Sequence, residues 1–257
     1  MGNRASVLRE AVLKAGEVVR SFNRERLDVK EKTGVADFVT AADFASEKSL
    51  MDSIRKFFPQ DSILSEETKS NLPDLKSIDH LWIMDPIDGT NNFLYDRKFS
   101  CISVGYAGKG ELLLGAIYDF IHDRLFFGEL GNGAFENDKK ISVGSRTVLS
   151  DAIISTDYSL TWEETKKHLQ MLIKSKPSVL LMKGSAALNM CEVASGRSDL
   201  YFHSSLNSWD SAAGILIIKE AGGVVVNFKG KEVSFESQEI VGGNKVIVEK
   251  FIANTLG

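Results

Sequence analysis

Apolar residues recur at helical spacing in three stretches of the chain. The stretches run from Ala5 to Phe22, from Ala42 to Phe58, where Pro59 stops the pattern, and from Trp162 to Lys174. Because this spacing places the apolar side chains on one face, we predict three amphipathic helices that pack against a core.

Between Asp85 and Val143 the pattern changes to short apolar or alternating runs that glycines separate. These runs are CISVGYA, ELLLGAIYDF, RLFFGEL, GAFEN and KISV. Such runs are typical of strands joined by tight turns, so we predict a largely antiparallel sheet in this part of the chain.

From Ile153 onward, strand and helix patterns alternate. The strand patterns AIIST, SVLLM, DLYF and GVVVNF are interleaved with helices that start at Trp162, near Ala186, after Asp210 and after Asn244. This alternation predicts a second sheet covered by helices. Since no Pro-rich linker separates the two patterns, we predict two halves, 1–145 and 146–257, that pack as one rigid unit.

Composition and charge narrow the class of protein. The chain has 257 residues, with 31 basic and 35 acidic side chains and a net charge of −4, which argues against a nucleic-acid partner. Its two cysteines are far apart in apolar surroundings and predict reduced thiols in a cytoplasmic protein. The N-terminal segment has a helical pattern in place of a secretory signal, and no apolar run approaches the ~20 residues that span a bilayer.

The segment WIMDPIDGTNNF ends a buried-strand pattern in two acids, Asp85 and Asp88. Burial of an unpaired carboxylate costs free energy, so acids at the end of a buried strand usually bind a cation. Gly89 and Thr90 follow in a tight turn whose amides can face an anion if a helix starts there. The alternative is an ordinary Asp-Gly turn in which Asp88 caps the next segment.

Three other segments carry acids in comparable places. Glu66 and Glu67 end a short apolar strand pattern, Asp210 stands before an apolar helix pattern, and Asp37 and Asp43 flank a helix entry. A solvated pair or a helix cap explains each segment taken alone, although capping explains only one of the last two acids.

Together these acids indicate a metal site. Carboxylates without an accompanying His or Cys cluster select Mg²⁺, Mn²⁺ or Ca²⁺ over zinc. Three or four of them can hold two or more ions about 4 Å apart, an arrangement used for displacement at phosphorus. The pattern therefore predicts metal-dependent phosphate chemistry.

Four motifs closely resemble, in order and spacing, those of the inositol monophosphatase family of metal-dependent, lithium-sensitive phosphatases. They are DPIDGTNNF (85–93), SEE (65–67), WDSAAG (209–214) and KTGVADFVTAAD (32–43). The resemblance implies an α/β fold, a five-layer αβαβα sandwich of the sugar-phosphatase type. It also implies a small polyol, sugar or nucleotide phosphate as substrate and a homodimer, whereas the lack of a spanning apolar run predicts no membrane partner.

The resemblance also implies a set of metal ligands. Glu66, Asp85 and the carbonyl of Ile87 would hold the first ion, with Glu66 also reaching a third ion through water. Asp85 would bridge to a second ion held by Asp88 and Asp210. The cofactor implied is Mg²⁺, as two to three ions, with Mn²⁺ as an alternative and Ca²⁺ and Li⁺ as inhibitors. Most ligands would belong to the first half of the chain, and Asp210 to the second.

For catalysis, the resemblance implies that Thr90, paired with Asp43, orients the attacking water together with Glu66. Asp88 and the amides of Gly89 and Thr90 would contact the phosphate.

Further positions are implied around this centre. Lys32 and Asp37 match a mobile loop over the site, and Gly184, Ser185 and Ala186 match a wall that contacts the substrate.

One position departs from the family pattern. Seven residues before Asp210, where inositol-specific members carry a glutamate that binds substrate hydroxyls, this chain has His203. We expect His203 to influence specificity, and its protonation toward pH 6 to favour a second anionic group over inositol 1-phosphate. The other interpretation is that its ring only faces solvent.

The alternatives to an inositol monophosphatase are of two kinds, proteins of other families and other members of the same superfamily. Haloacid-dehalogenase phosphatases share an Asp-Gly-Thr segment, but their D-x-D-G-T spacing differs from the D-x-x-D-G-T found here. A calcium-binding EF-hand loop that began at Asp85 would lack the glycine required at its sixth position. Within the same superfamily, a fructose-1,6-bisphosphatase, an NADP phosphatase, an adenosine bisphosphate phosphatase or a non-catalytic regulatory member remains open.

Overall fold

The computed structural model describes residues 2–22, 29–31, 38–68, 72, 74–159 and 161–256. The helices within them are α1 (Gly2–Arg20), α2 (Ala41–Arg55), α3 (Thr90–Leu94), α4 (Trp162–Ser175), α5 (Ala186–Ala194), α6 (Ser208–Glu220) and α7 (Lys245–Leu256). The first strands are β1 (Val29–Glu31), β2 (Phe38–Thr40), β3 (Ser62–Ser65), β4 (Leu81–Asp88), β5 (Cys101–Gly108), β6 (Glu111–Asp119) and β7 (Arg124–Glu129). The remaining strands are β8 (Gly133–Glu136), β9 (Lys139–Lys140), β10 (Ile153–Thr156), β11 (Val179–Met182), β12 (Leu200–His203), β13 (Val224–Val226) and β14 (Ile240–Gly243).

Strands β3 to β9 form a seven-stranded sheet in chain order. The first pair, β3 and β4, is parallel, and every later neighbour is antiparallel. A segment that contains α3 joins β4 to β5, and short turns join the strands from β5 to β9. Between β5 and β6, Lys109 and Gly110 have φ of 53° and 81°. Two residues with positive φ match the twist of the flanking strands, so this turn sets the hairpin register.

The second sheet has the order β11-β10-β12-β14-β13. Strand β10 runs parallel to both of its neighbours, whereas β14 runs antiparallel to β12 and β13. A further pair, β1 and β2, forms a separate antiparallel hairpin.

Five layers result from the way these sheets bury their faces. Helices α1 and α2 share an apolar cluster with the outer face of the larger sheet, and α5 and α6 lie between the two sheets. In β12, Leu200 and Phe202 pack outward with α4 and α7, while Tyr201 packs inward. Because successive side chains of a strand point to opposite faces, the apolar residues of β12 pack against helices on both faces of the smaller sheet. The predicted αβαβα sandwich is confirmed.

Glycine permits the closest approach between α6 and the larger sheet. A Cβ atom on Gly115 of β6 would lie 2.8 Å from the carbonyl oxygen of Ala213, and one on Gly105 of β5 would lie 3.0 Å from the Cβ of Ala212. Because α6 belongs to the second half of the chain and packs on the sheet of the first, the two halves share one apolar cluster.

The structure corrects three sequence expectations. The run KISV is a strand only at Lys140, since β9 ends there. Helix α6 begins at Ser208, so Asp210 lies in its first turn and not before it. Strand β14 was not predicted, because its Ile-Val-Gly-Gly sequence is too short to show a period.

None of the helices in the described part of the chain is long and apolar enough to cross a membrane.

Candidate active site

Strand β4 is buried along its whole length and delivers two acids to its end. Asp85 pairs with Ser103 and Asp88 with Cys101, so three residues of β4 span the distance of two on β5. Pro86 lies in this bulge, where its missing N–H costs no ladder hydrogen bond. A regular strand would turn residues three apart to opposite faces, whereas the extra residue turns both acids to the same side.

Asp85 lies at the centre of a group of acids. Its side chain is 2% exposed, and its Oδ1 atom accepts a hydrogen bond from the amide of Ile87 at 3.0 Å. Burial, followed by the negative charges of Glu66, Asp88 and Asp210, raises the pKa of Asp85 well above its usual value. Asp85 also shares a hydrogen bond with Glu66. Two carboxyl groups can share such a bond only when one carries a proton.

Glu66 and Asp210 reach the group from two other elements. Glu66 follows β3, whose parallel pairing with β4 brings the ends of both strands to the same edge. Asp210 lies in the first turn of α6, where its Oδ2 atom accepts a hydrogen bond from the amide of Asn207 at 2.7 Å and closes a capping box. Burial and the charges of Glu66 and Asp88 raise the pKa of Asp210.

Asp88 is held by hydrogen bonds from the second half of the chain. Its Oδ2 atom accepts from the hydroxyl of Ser185 at 2.5 Å and from the amide of Ala187 at 2.8 Å. Burial nevertheless raises the pKa of Asp88 to about 6. Both bonds use the same oxygen, and within the described residues no hydrogen bond engages Oδ1.

These acids fit hard divalent cations by the chemistry of their donor atoms. Within the described residues, no group of three or more His, Cys, Asp or Glu side chains is already arranged around one metal position. The raised pKa values of Asp85, Asp88 and Asp210 show that this site favours positive charge. The described side chains therefore fit Mg²⁺, Mn²⁺ or Ca²⁺ better than a soft metal.

The structure brings Thr90 and Asp43 together beside this group. The Thr90 hydroxyl lies 3.2 Å from Oδ1 of Asp43 and 3.0 Å from the carbonyl oxygen of Ile87, and its single proton serves one of them at a time. Asp43 is fixed by the amide and the hydroxyl of Thr40 at 2.8 and 2.5 Å, at the start of α2. Burial raises the pKa of Asp43 to about 6.

Gly89 connects β4 to α3 in a position that only glycine fits. Its φ of 84° lies in the left-handed region. A Cβ atom there would lie 3.0 Å from the carbonyl oxygens of Gly184 and Phe99 and 3.2 Å from the Cβ of Ser185. Gly184 to Ala186, the predicted substrate wall, therefore packs directly against the turn between Asp88 and Thr90.

His203 does not offer a charged group to a substrate, and the expectation of a protonated ring near pH 6 is wrong. The side chain is buried, and burial lowers the pKa of His203 to about 4, with a further contribution from His168. Its Nε2 atom lies 3.3 Å from the carbonyl oxygen of Tyr158, and its Nδ1 atom accepts from the amide of Ser205 at 3.2 Å. Both ring nitrogens of the neutral imidazole are thus used within the protein.

This buried imidazole predicts a loss of stability in acid. The folded-state pKa of His203 is below its unfolded value, so its contribution to stability is present above pH 6.5 and declines as the pH falls toward 4. We expect the free energy of unfolding to drop by about 3 kcal/mol over this range from His203 alone. Urea titrations from pH 7 to pH 4 measure this drop.

The matched variant is His203→Gln, which keeps a donor toward the Tyr158 carbonyl and has no charge at any of these pH values. Its unfolding free energy is expected to fall less steeply with pH than that of the wild type. Parallel curves for the two proteins would show that the pKa of His203 is the same in the folded and unfolded states, and would contradict this prediction.

Asp157 is a buried acid beside the site that the sequence analysis missed. It follows β10 directly and accepts hydrogen bonds from the amides of Lys183 and Gly184 and from the side chains of Asn189 and Tyr201. Burial raises the pKa of Asp157 to about 6 despite these four donors. The signal that led to Asp85, an acid at the end of an apolar strand pattern, is present here in AIISTD.

Other predicted positions are less informative. Glu67 is half-buried next to Glu66. Lys32 and Asp37, predicted to lie in a mobile loop over the site, fall outside the described residues.

Comparisons with known proteins identify the family of this chain. The inositol monophosphatase family matches residues 3–256. A fructose-1,6-bisphosphatase/inositol-1-monophosphatase of Thermotoga maritima is 36% identical over 225 residues, which are 88% of this chain and 85% of that protein. The extragenic suppressor protein suhB from Bartonella henselae superposes with a TM-score of 0.90 at 34% identity, over 97% of both chains.

Two more distant structures contain or were soaked with cations. An IMPase/NADP phosphatase in complex with NADP and Ca²⁺ is 25% identical, with a TM-score of 0.86 over 98% of this chain and 94% of that one. A staphylococcal inositol monophosphatase in a LiCl-soaked inhibitory complex is also 25% identical, with a TM-score of 0.83 over 96% of this chain and 90% of that one.

The chain belongs to the inositol monophosphatase family, and it is a metal-dependent phosphatase that hydrolyses phosphoric monoesters.

Proposed function

We propose that this enzyme uses Mg²⁺ to hydrolyse a small polyol or sugar phosphate, with inositol 1-phosphate among its substrates, by direct attack of water. The observation that carries this proposal is that four acids from three elements, Glu66, Asp85, Asp88 and Asp210, lie near one another. The negative charges of the other three raise the pKa of Asp85, so this region has an excess of negative charge. Two Mg²⁺ ions balance the charge of four carboxylates, and the dianionic phosphate of the substrate would balance a third. Mn²⁺ would fill the same oxygen sites.

One group of residues would hold the metal ions. Glu66, Asp85 and the Ile87 carbonyl would hold the first metal position, and Asp85, Asp88 and Asp210 the second. When bound, Mg²⁺ neutralises charge on the phosphoryl oxygens and lowers the pKa of water.

The attack itself would depend on a second group of side chains. The Thr90 hydroxyl, held by Asp43, would orient the attacking water with Glu66, and the amides of Gly89 and Thr90 would donate to the phosphate. Gly184, Ser185 and Ala186 would form the wall beside it. Lys32 and Asp37 remain predicted to belong to a covering loop.

A second candidate is fructose-1,6-bisphosphatase activity. It is favoured by the name of the Thermotoga maritima relative, which carries both activities. NADP phosphatase activity is favoured by the name of a more distant relative. Because His203 is internal, it gives no reason to rank a bisphosphate above inositol 1-phosphate.

We also propose inhibition by Li⁺ and Ca²⁺, a homodimer and a cytoplasmic location. The lithium complex of the staphylococcal relative supports inhibition by Li⁺. Strand β11 supports a homodimer. It is an edge strand that exposes Val179, Leu180 and Met182, and a second subunit could cover these side chains. Buried, unpaired Cys101 and Cys191 are compatible with a reducing compartment.

A phosphate-release panel tests the proposed function. Inositol 1-phosphate, fructose 1,6-bisphosphate, NADP⁺ and adenosine 3′,5′-bisphosphate are compared with Mg²⁺, with EDTA, and with millimolar LiCl at subsaturating Mg²⁺. We expect activity with inositol 1-phosphate that EDTA abolishes and LiCl lowers. Activity that survives EDTA would rule out the proposed metal-dependent mechanism. A bisphosphate or nucleotide as the sole substrate would favour the bisphosphatase or NADP phosphatase alternatives.

A further inference from the structure

We propose that Asp157 and Asn92 are positioning residues that hold the Lys183–Gly184 segment from two sides and thereby fix Ser185 against Asp88. This inference rests on the proposed role of Asp88 in holding a metal ion. It assigns a function to two buried polar side chains that touch none of the reacting atoms.

Asp157 holds the amide side of the segment. Its Oδ1 atom accepts from the amide of Gly184 at 2.6 Å and from the amide of Lys183 at 3.0 Å. Its Oδ2 atom is fixed in turn by Asn189 Nδ2 at 2.8 Å and by the Tyr201 hydroxyl at 3.1 Å. Because α5 and β12 provide these last donors, the carboxylate ties the segment to the inner layers of the fold.

Asn92 holds the carbonyl side. Its side chain is 2% exposed in α3, and its Nδ2 atom lies 2.7 Å from the carbonyl oxygen of Lys183 and 3.0 Å from that of Gly184. The same atom donates to the carbonyl of Phe99 at 2.7 Å. The two hydrogens of this amide are shared among three carbonyl oxygens. The peptide group between Lys183 and Gly184 thus has buried side chains from other elements at both its N–H and its C=O.

The segment transmits this position to the metal-binding acids. Ser185 follows Gly184 directly, caps α5 through the amide of Leu188, and donates its hydroxyl to Oδ2 of Asp88 at 2.5 Å. On the other side, a Cβ atom on Gly89 would lie only 3.0 Å from the Gly184 carbonyl oxygen, so the Gly89 turn packs closely against the segment. Movement of Gly184 would thus rotate Asp88 and displace the turn that carries Thr90.

The contacts point to Asp157 as a hydrogen-bond acceptor and not as a charge. A second negative charge near Asp88 is unfavourable, so an apolar residue would remove a repulsion, but it would leave two buried amides without an acceptor. Asparagine provides that acceptor through its carbonyl oxygen. Its amide group would face the Tyr201 hydroxyl, which can accept a hydrogen bond as well as donate one.

Binding of Mn²⁺ to the metal-free protein, followed by the EPR signal of the free ion, tests the proposal without turnover. We expect Asp157→Ala to bind Mn²⁺ about 10- to 100-fold more weakly than the wild type, as is usual when a partner of a metal ligand is lost. Asp157→Asn is expected to remain within about threefold of the wild type. With Mg²⁺ and inositol 1-phosphate, kcat should fall with Mn²⁺ affinity while KM changes less.

The matched control is Asp199→Ala. Asp199 is also fully buried, and it accepts from the amide of Ile153 at 2.8 Å, at the opposite end of β10. We expect this variant to lose stability in urea but to keep its Mn²⁺ affinity and kcat. If Asp157→Ala does not fold, Asn92→Ala breaks the carbonyl side and should give the same loss of Mn²⁺ affinity.

Three results would overturn the proposal: unchanged Mn²⁺ affinity in the folded variant, an equal loss in Asp199→Ala, or a loss in Asp157→Asn as large as in Asp157→Ala. A wild type that binds Mn²⁺ but hydrolyses none of the esters would refute the proposed function alone, since the comparison of Mn²⁺ affinities would still decide the inference. A wild type that binds no Mn²⁺ would refute both.

Discussion

Asp85→Asn is expected to lower kcat for phosphate release by about 10³-fold, because a ligand shared by two metal positions contributes several kcal/mol to charge stabilisation in the transition state. The same variant should be more stable than the wild type when both are metal-free. Asp85 lies among Glu66, Asp88 and Asp210, and burial makes its negative charge costly. We expect Tm in EDTA to rise by about 2–4 °C, corresponding to about 1 kcal/mol.

Calorimetry with and without Mg²⁺, together with steady-state kinetics, measures both effects. Asp119→Asn is the matched control, since Asp119 is a fully buried acid of the same sheet that pairs with Arg124 at 2.7 Å. Removal of that charge should lower Tm and leave kcat near the wild-type value. If Asp85→Asn retains wild-type kcat, Asp85 is not a shared ligand.

Thr90→Ala is expected to lower kcat by about 100-fold with little change in KM, since a hydroxyl that orients the attacking water acts during attack and not in substrate binding. The structural basis is the Thr90 hydroxyl, which lies 3.2 Å from Asp43 and 3.0 Å from the carbonyl of Ile87. Initial rates over a range of inositol 1-phosphate concentrations at saturating Mg²⁺ separate the two parameters.

Thr90→Ser is the control for this prediction, because it keeps the hydroxyl and removes only a methyl group. It should retain most of the wild-type kcat. A change confined to KM in Thr90→Ala, or an equal loss of kcat in both variants, would contradict a role in orienting water.

The helices and the group of candidate acids could be predicted because each depends on short-range sequence features. The period of apolar residues identified α1, α2 and α4, which begin and end within three residues of the predicted limits. Asp85 and Asp88 stood out because charges at the end of an apolar strand are costly without a partner. A prediction from such features requires no knowledge of distant contacts.

The environment of His203 could not be predicted in this way. Its neighbours along the chain resemble a strand end open to solvent, but α4 brings His168 against it with 4.6 Å between ring centroids. Burial by another element lowers the pKa of the imidazole, and no local pattern encodes that burial. Asp157 differs, because an acid at the end of an apolar strand pattern is visible in the sequence. Only its amide partners, 26 and 27 residues farther along the chain, depend on the tertiary structure.

The sequence by itself determined the period of the helices and strands, the type of metal ligand and the family, because these depend on residue type and on spacing along the chain. The tertiary structure alone decided which acids meet, which of their oxygen atoms are already engaged, and which polar residues are internal. The physical reason is that desolvation and hydrogen bonding depend on what packs around a group, and at this site the packing comes from segments about 100 residues apart in the chain, such as Asp88 and Ser185.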